Sequence, residues 1–352
     1  MATTTLDVSA GKRNRHVFVS AASGLVDCLE AKGVSPESVL NEAGLRLEQL
    51  CDPSASVTLA SYCALMECAA KETQDRGFGL AFGHGFQPER LGLIGRLALA
   101  SPTLGSALHN VARFFPYHQQ LTATSFKQLG ATHRLECRVL DGSVTERRQA
   151  AEMTMAVFRN ILRRCLGSAW CPQHVLLEHP RIGLHGAHER AFGSFVHFGQ
   201  PTNALVWEGS DLHRPMPQAN AVQMVELREE LVRLGGSVGS LSLVDRIRGE
   251  IRSTLSSGNA DIASVAAVMG IARWTLQRRL ATHGYTFQEL VNEVRRNVAL
   301  QYLRERFLPI ADVATLLGYS ETSAFTRSCT RWFGEAPTTM RQGGMFDERP
   351  AS

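Results

Sequence analysis

Two stretches of the chain, DIASVAAVMGIARWTLQRRLATHG (261–284) and PIADVATLLGYSETSAFTRSCTRWFG (309–334), repeat one another. Val265, Ala266, Met269 and Gly270 stand 48 residues ahead of Val313, Ala314, Leu317 and Gly318. Leu276, Arg278 and Leu280 stand 49 ahead of Phe325, Arg327 and Cys329, and the closing Gly284 and Gly334 are 50 apart. Each copy reads as a short apolar helix, a glycine turn and a second amphipathic helix, with one extra residue just after the second turn. Small alanines at 266 and 314 let two helices cross closely, and a turn glycine permits the sharp reversal. The expected unit is a helix-turn-helix, present twice.

On a helix advancing about 100° per residue, Leu276 and Leu280 share one face and Trp274 and Arg278 point the other way. In the second copy Ser320 is expected to cap a helix that buries Phe325, Cys329 and Trp332. Its far face carries Ser323, Arg327 and Thr330, flanked by Thr326 and Arg331. These correspond to Trp274, Arg278 and Ala281 in the first copy, flanked by Gln277 and preceded by Arg273. Two helices with matching buried stripes therefore carry matching outward stripes of arginine and polar groups. Such a face fits the DNA major groove, where arginine binds guanine bidentately and threonine or tryptophan meets thymine methyls. Between the copies, Thr286 and Glu289 form a capping box for FQELVNEVRRNVALQYLRE. Its buried stripe, Leu290, Val294, Val298 and Tyr302, makes it a rigid spacer between two helices meant for groove segments about 34 Å apart.

The last hundred residues resemble the AraC/XylS family of bacterial transcription regulators. LQRRL (276–280), the R-x3-A-x2-YL pattern at Arg295, Ala299, Tyr302 and Leu303, IADVATLLGY (310–319) and SAFTR…RWFGEAP (323–337) carry the likeness. Cys329, Thr330 and Ala336 depart from the family pattern, where a phenylalanine, a lysine and a serine are usual; loss of a basic residue at 330 is expected to weaken a phosphate contact. The resemblance implies groove contacts at Trp274, Gln277, Arg278, Thr326 and Arg327. The first 230 residues resemble the N-terminal effector domain of the branch that includes the ornithine-utilisation and mycobacterial virulence regulators. GVSPESVLNEAGL (33–45), DRGFGLAFG (75–83), LGLIGRLALASPTLGSAL (91–108) and AFGSFVHFGQPTNALVWEGSDLHRPMP (191–217) match it.

The domain reading follows. Residues 1–14 and 343–352 are tails, 15–232 an α+β effector and dimerisation domain, 233–241 a Gly/Ser linker, and 242–342 an all-α DNA-binding domain. Helical patterns cover about 17–32, 58–72, 91–115 and 146–166, and β-rich segments lie near 121–129, 133–140, 174–179 and 203–209, enough for one sheet. Met224, Leu227, Leu231 and Leu234 form a stripe that suits either a dimer seam or packing on its own domain. RFFPYHQQ (113–120) offers Arg113, Phe114, Phe115, Tyr117 and His118 as an aromatic-walled effector pocket.

Charge supports the DNA reading in kind more than in amount. The net charge is only +4, but from residue 240 onward there are fourteen arginines, eleven acids and no lysine. Arginine's planar fork suits phosphate and guanine edges. Forty-four per cent hydrophobic and twenty per cent charged residues describe an ordinary globular chain. No apolar run reaches the roughly 20 residues of a membrane span, and MATTTLDVSAGKRNRHVFVS has no secretory core, so a cytoplasmic protein is expected. The eight cysteines, without CxxC or CxxxC spacing, read as reduced and buried thiols. That spacing also argues against a related architecture that adds cysteine-based alkyl repair. Cys171, His174, His179, His185 and His188 cluster in sequence, but with Pro172 and Pro180 between them they read as scattered surface or loop side chains. No metal, no cofactor and no catalytic residues are therefore expected.

The expected protein is a regulator, an activator contacting RNA polymerase at promoter DNA, that responds to a small-molecule effector as a homodimer. The alternative is an effector-independent DNA binder whose N-terminal domain only dimerises.

Overall fold

The computed structural model describes residues 16–181, 186–209, 212–235, 242–255, 258, 260–304 and 308–342. The chain opens with strand β1 (His16–Phe18), a 3-10 turn, α1 (Leu25–Ala31) and α2 (Pro36–Glu42). Strand β2 (Ser56–Thr58) pairs antiparallel with β1 and runs straight into α3 (Leu59–Glu72), whose N-terminus is capped by the Thr58 hydroxyl. Next come α4 (Phe78–Gly85), α5 (Leu93–Ala100) and α6 (Leu104–His118). The hairpin β3 (Thr122–Leu129) and β4 (Thr132–Val139) leads to the long α7 (Arg148–Leu166). Strand β5 (His174–Leu176), α8 (Ala187–Phe192), β6 (Phe195–His197), β7 (Asn203–Glu208) and α9 (Ala221–Gly235) complete this half. The larger sheet has the order β3-β4-β7-β5-β6, antiparallel except for β5 beside β6.

Several expectations change here. Residues 17–32 are not one helix: Val17 and Phe18 are buried in the β1–β2 ribbon, and the Gly24 left-handed turn precedes α1. The 91–115 pattern is two helices, because Pro102 cannot continue α5 and Thr103 caps α6 afresh. There are two sheets among the described residues rather than one. The short strands β1, β2 and β6, three residues each, are too brief for an alternation to be read.

The Met224–Leu234 stripe packs inside its own domain. Leu227 and Leu231 are buried, and Met224 and Leu234 lie against the same core, with α9 seated on α5 and α6. An apolar face covered this way is not available as a dimer seam. Helix α9 also continues through Gly235, whose carbonyl accepts from the buried Gln120 side chain. Residues 233–235 are therefore helix and not linker; 236–241 and the two tails lie outside the described residues.

The second half is helical throughout the described residues: α10 (Leu243–Thr254), α11 (Ile262–Val268), α12 (Arg273–Thr282), α13 (Phe287–Arg304), α14 (Ile310–Leu316), α15 (Thr322–Phe333) and α16 (Pro337–Gln342). It has its own core, from Val244 to Met340, distinct from the core running from Val17 to Leu231. The structure is thus an α+β domain followed by an all-α domain, as expected.

Candidate nucleic-acid interface

The repeat folds as two helix-turn-helix units. In the first, Asp261 caps α11 through hydrogen bonds from the Ala263 and Ser264 amides, 2.8 and 3.0 Å. Gly270 and Gly318 both turn with φ near +70° (67° and 72°), the left-handed region that only glycine enters freely. Leu276 and Leu280 of α12 are fully buried, as are Phe325 and Cys329 of α15; Trp332 is only partly buried. The spacer α13 begins at the expected capping box: Thr286 N donates to the Glu289 carboxylate at 2.7 Å, and Glu289 N donates to the Thr286 hydroxyl at 3.2 Å. The Thr286 amide and hydroxyl, which both donate to it, hold the Glu289 carboxyl below its ordinary range. The stripe of Leu290, Val294, Val298 and Tyr302 is buried.

With the stripes buried, the opposite faces emerge. Arg273, Trp274, Gln277 and Arg278 on α12 are all exposed, as are Ser323, Arg327, Thr330 and Arg331 on α15; Thr326 is intermediate. Trp274 is 61 % exposed, and the Arg278 guanidinium lies over its ring at 5.1 Å. A large apolar ring stacked with a cation at the surface is costly to leave in water and well suited to a base edge. Arg273, Arg278, Arg327 and Arg331 have no carboxylate partner among the described residues. Their charge remains available for phosphate or guanine.

Two details differ from the expectation. Helix α15 begins at Thr322 with Glu321 at its N-cap, so Ser320 stands outside the helix and does not cap it. The cause is Tyr319, whose amide bonds back to Ala314 O and whose ring packs on Phe325, keeping the chain in the turn through Ser320. The Glu321 carboxylate accepts from the Ser323 hydroxyl at 3.1 Å, which places one acid at the start of this face. A residue whose role the sequence did not reveal is Arg295. It donates to Leu317 O and Gly318 O, 2.9 and 3.1 Å, and stacks over Tyr319, so α13 locks the second turn.

Helix α10 joins this domain to the first. Gly249 lies against the chain at Leu140: a Cβ there would stand 2.5 Å from Leu140 O. Around this contact Arg138 pairs with Glu250 at 2.6 Å, Arg252 donates to Thr145 O at 3.2 Å, and Arg304 pairs with Glu146. Beneath it Arg147 and Glu178 form a buried two-pronged ion pair, 2.7 and 2.9 Å. Burial opposes ionisation of Glu178, but the Arg147 guanidinium outweighs it and holds the carboxyl down at about 2. Beside this contact lies a cleft of about 530 Å³ lined by Glu67, Lys71, Arg148 and His179 of the first domain and by Gln301 and Tyr302 of α13.

The 113–118 stretch does not form one pocket. Phe115 and His118 point into the core, where Phe115 meets Phe158 edge-on at 5.2 Å and His118 is packed by Phe18 and Phe115. Burial pushes the His118 pKa down to about 3, so it is neutral. Only Arg113, Phe114 and Tyr117 reach a shallow groove of about 480 Å³ against α9. The Cys171–His188 cluster disperses as well: His174 meets His197 at 3.1 Å, Cys171 lies near Arg163, and His185 is outside the described residues. His179 and His188, however, are buried rather than on the surface: His179, just after β5, and His188, on α8, both approach Glu152 of α7.

A paired helix-turn-helix domain carried on an α+β sensory-type domain defines a DNA-binding transcriptional regulator. Residues 33–216 match the arabinose-binding domain of AraC transcription regulator, N-terminal, and residues 265–343 match a helix-turn-helix domain, so the chain belongs to the AraC family. It is 26 % identical over 343 residues to the ornithine utilization regulator of Pseudomonas aeruginosa, covering 93 % of this chain and 96 % of that one. It is also 26 % identical over 323 residues to the regulator VirS of Mycobacterium tuberculosis, covering 91 % and 95 %. Among solved structures, the transcriptional regulator CdpR from Pseudomonas aeruginosa aligns with 22 % identity and a TM-score of 0.38, over 75 % of this chain and 86 % of that one. The family models and relatives that the chain matches are transcription regulators, which are not enzymes. No helix among the described residues is long and apolar enough to cross a membrane.

Proposed function

We propose that the chain is a cytoplasmic, effector-responsive activator. Its α12 and α15 contact successive major-groove segments of a promoter through Arg273, Trp274, Gln277, Arg278, Ser323, Thr326, Arg327, Thr330 and Arg331. A small metabolite occupies the cleft between Arg148, Lys71 and Glu67 on one side and Gln301 and Tyr302 on the other, in preference to the 113–118 stretch. One observation supports this reading above the rest: the same cleft is lined by the effector domain and by α13, the helix that spaces the two recognition helices. A ligand there has differential contacts with domain arrangements and so has the means to bias them. Mixed carboxylate and cationic lining suits a zwitterion, and one relative is named for ornithine utilisation, so amino acids and diamines come first among candidates. Homodimerisation and contact with RNA polymerase belong to the same reading, with the dimer seam lying away from the buried α9 stripe.

Purified full-length protein should first select its sites from sheared DNA of its own genome; binding to a selected fragment is then titrated with and without amino acids, diamines and aromatic acids. An effector changes the DNA Kd by about 5- to 150-fold. If DNA binding is specific but no compound alters it or the thermal midpoint, the effector-independent reading replaces this one.

A further inference from the structure

Glu152 of α7, His179 after β5 and His188 of α8 meet in the interior, 27 and 36 residues distant along the chain from Glu152. Glu152 and His188 are fully buried and His179 is 4 % exposed. One donor atom from each lies within 4.8 Å of the others. Polar side chains at this depth are normally matched donor to acceptor. These are not.

His179 Nδ1 is 2.9 Å from Pro180 O, an acceptor only, so the ring proton sits on Nδ1. In the neutral ring Nε2 then presents a lone pair. It faces Glu152 Oε1 at 3.2 Å with no hydrogen bond. His188 Nε2 approaches the same oxygen at 3.0 Å. The second carboxylate oxygen, Oε2, and His188 Nδ1 are buried without any partner. Lone pairs therefore outnumber the positive groups that could satisfy them; Arg148 reaches Oε1 only at 3.4 Å.

We infer that Glu152, His179 and His188 bind one divalent transition-metal ion, zinc being the ion this donor set suits. Two imidazoles and one carboxylate are a known three-ligand set for zinc, with a fourth position left for water or a ligand. The His179 Nδ1 bond to Pro180 O is the outer contact that fixes tautomer and ring orientation in metal-ligating histidines. Phe198 packs edge-on against both rings, at 5.6 and 5.1 Å, and holds them in place. His179 also lines the cleft between the domains. The site stands independently of the proposed effector.

The test uses the full chain, stripped with a chelator and dialysed against Co²⁺ alone, then Zn²⁺ alone. One equivalent of Co²⁺ per chain with visible d–d absorption, displaced by Zn²⁺, is the expected result. Glu152→Gln and His188→Gln should weaken uptake at least about tenfold, whereas His174→Gln and Cys171→Ser should leave it unchanged. X-ray absorption on the wild-type zinc form covers the case in which a variant fails to fold: nitrogen and oxygen neighbours at about 2.0–2.1 Å are expected, and sulfur at about 2.3 Å overturns the assignment. Lack of saturable uptake by the folded wild type, or stoichiometric uptake that survives both substitutions, also overturns it.

Discussion

Removing Glu178 probes how firmly the two domains are joined. Arg147 and Glu178 are 4 % and 12 % exposed at the side chain and share two parallel hydrogen bonds. Charge-assisted bonds of this kind contribute about 1.5–3 kcal/mol each, so the pair's bonds total roughly 3–6 kcal/mol. Mutational loss of one buried partner costs about 3–5 kcal/mol, in agreement. Glu178→Gln should therefore destabilise the chain by about 3 kcal/mol at pH 7, the lower end because the amide keeps one bond. Arg147→Met should cost a similar amount. The double variant Arg147→Met/Glu178→Met should recover at least half of the summed loss, because no charge is left stranded. Arg147 also reaches Asp141 O and Val144 O, at 3.4 and 3.5 Å, in the segment that receives α10. Amide hydrogens of α10 should accordingly exchange faster in the single variants than in the wild type. Urea unfolding followed by circular dichroism gives the energies, and hydrogen exchange gives the location. Single-variant losses under about 1 kcal/mol, or a double variant that costs the full sum, would refute the reasoning. The pH dependence has a definite sign. The Glu178 carboxyl is held at about 2 when folded, against an ordinary 4.5, so its stabilisation is complete above 4.5 and is lost as pH falls toward 2.

Three further outcomes follow from other residues. Gly249→Ala places a Cβ at 2.5 Å from Leu140 O, about 1 Å too close; overpacking of about 1–3 kcal/mol outweighs the gain of roughly 1 kcal/mol in helix propensity, and proteolysis between the domains should quicken. His118, neutral at about 3 against an ordinary 6.5, opposes folding as pH drops below 6.5, by up to about 1.4 kcal/mol per unit; His118→Leu should flatten the stability profile between pH 6.5 and 4, and an unchanged slope would contradict its buried neutral state. Leu280→Ala, in the core beneath the first recognition helix, should cost about 2–5 kcal/mol in thermal unfolding of that domain; a loss below 1 kcal/mol would mean the helix is not anchored there.

Much of the second domain was legible because its signals are local. The capping box Thr286–Glu289, the turn glycines and the leucine stripes each act within one or two turns of chain, and all stand where the pattern placed them. What was not legible depends on distant partners. The α9 stripe has the same period whether its cover is another subunit or α5 and α6. The 91–115 segment is apolar on both sides of Pro102, so hydropathy alone runs across the break, although the turn residues of ASPTLG (100–105) mark it. Arg295 reads as a family position, yet its work is to hold the carbonyls ending α14, which no spacing discloses. Glu152 did leave a trace: it shares the face of α7 that carries Gln149, Met153 and Ala156, an acid on an apolar stripe in need of a partner. Its partners lie beyond β5, where no periodicity connects them.

The central claim is that two matched helices read one duplex together. Hydroxyl-radical footprinting of the full-length protein on a genomic site isolated with it tests this most directly. Two protected segments about 10–10.5 base pairs apart are expected, on one face of the DNA. Arg278→Ala should relax base preference within one segment and Arg327→Ala within the other, each costing about 1–3 kcal/mol at matched salt. A single protected segment, or both variants footprinting like the parent, would contradict it.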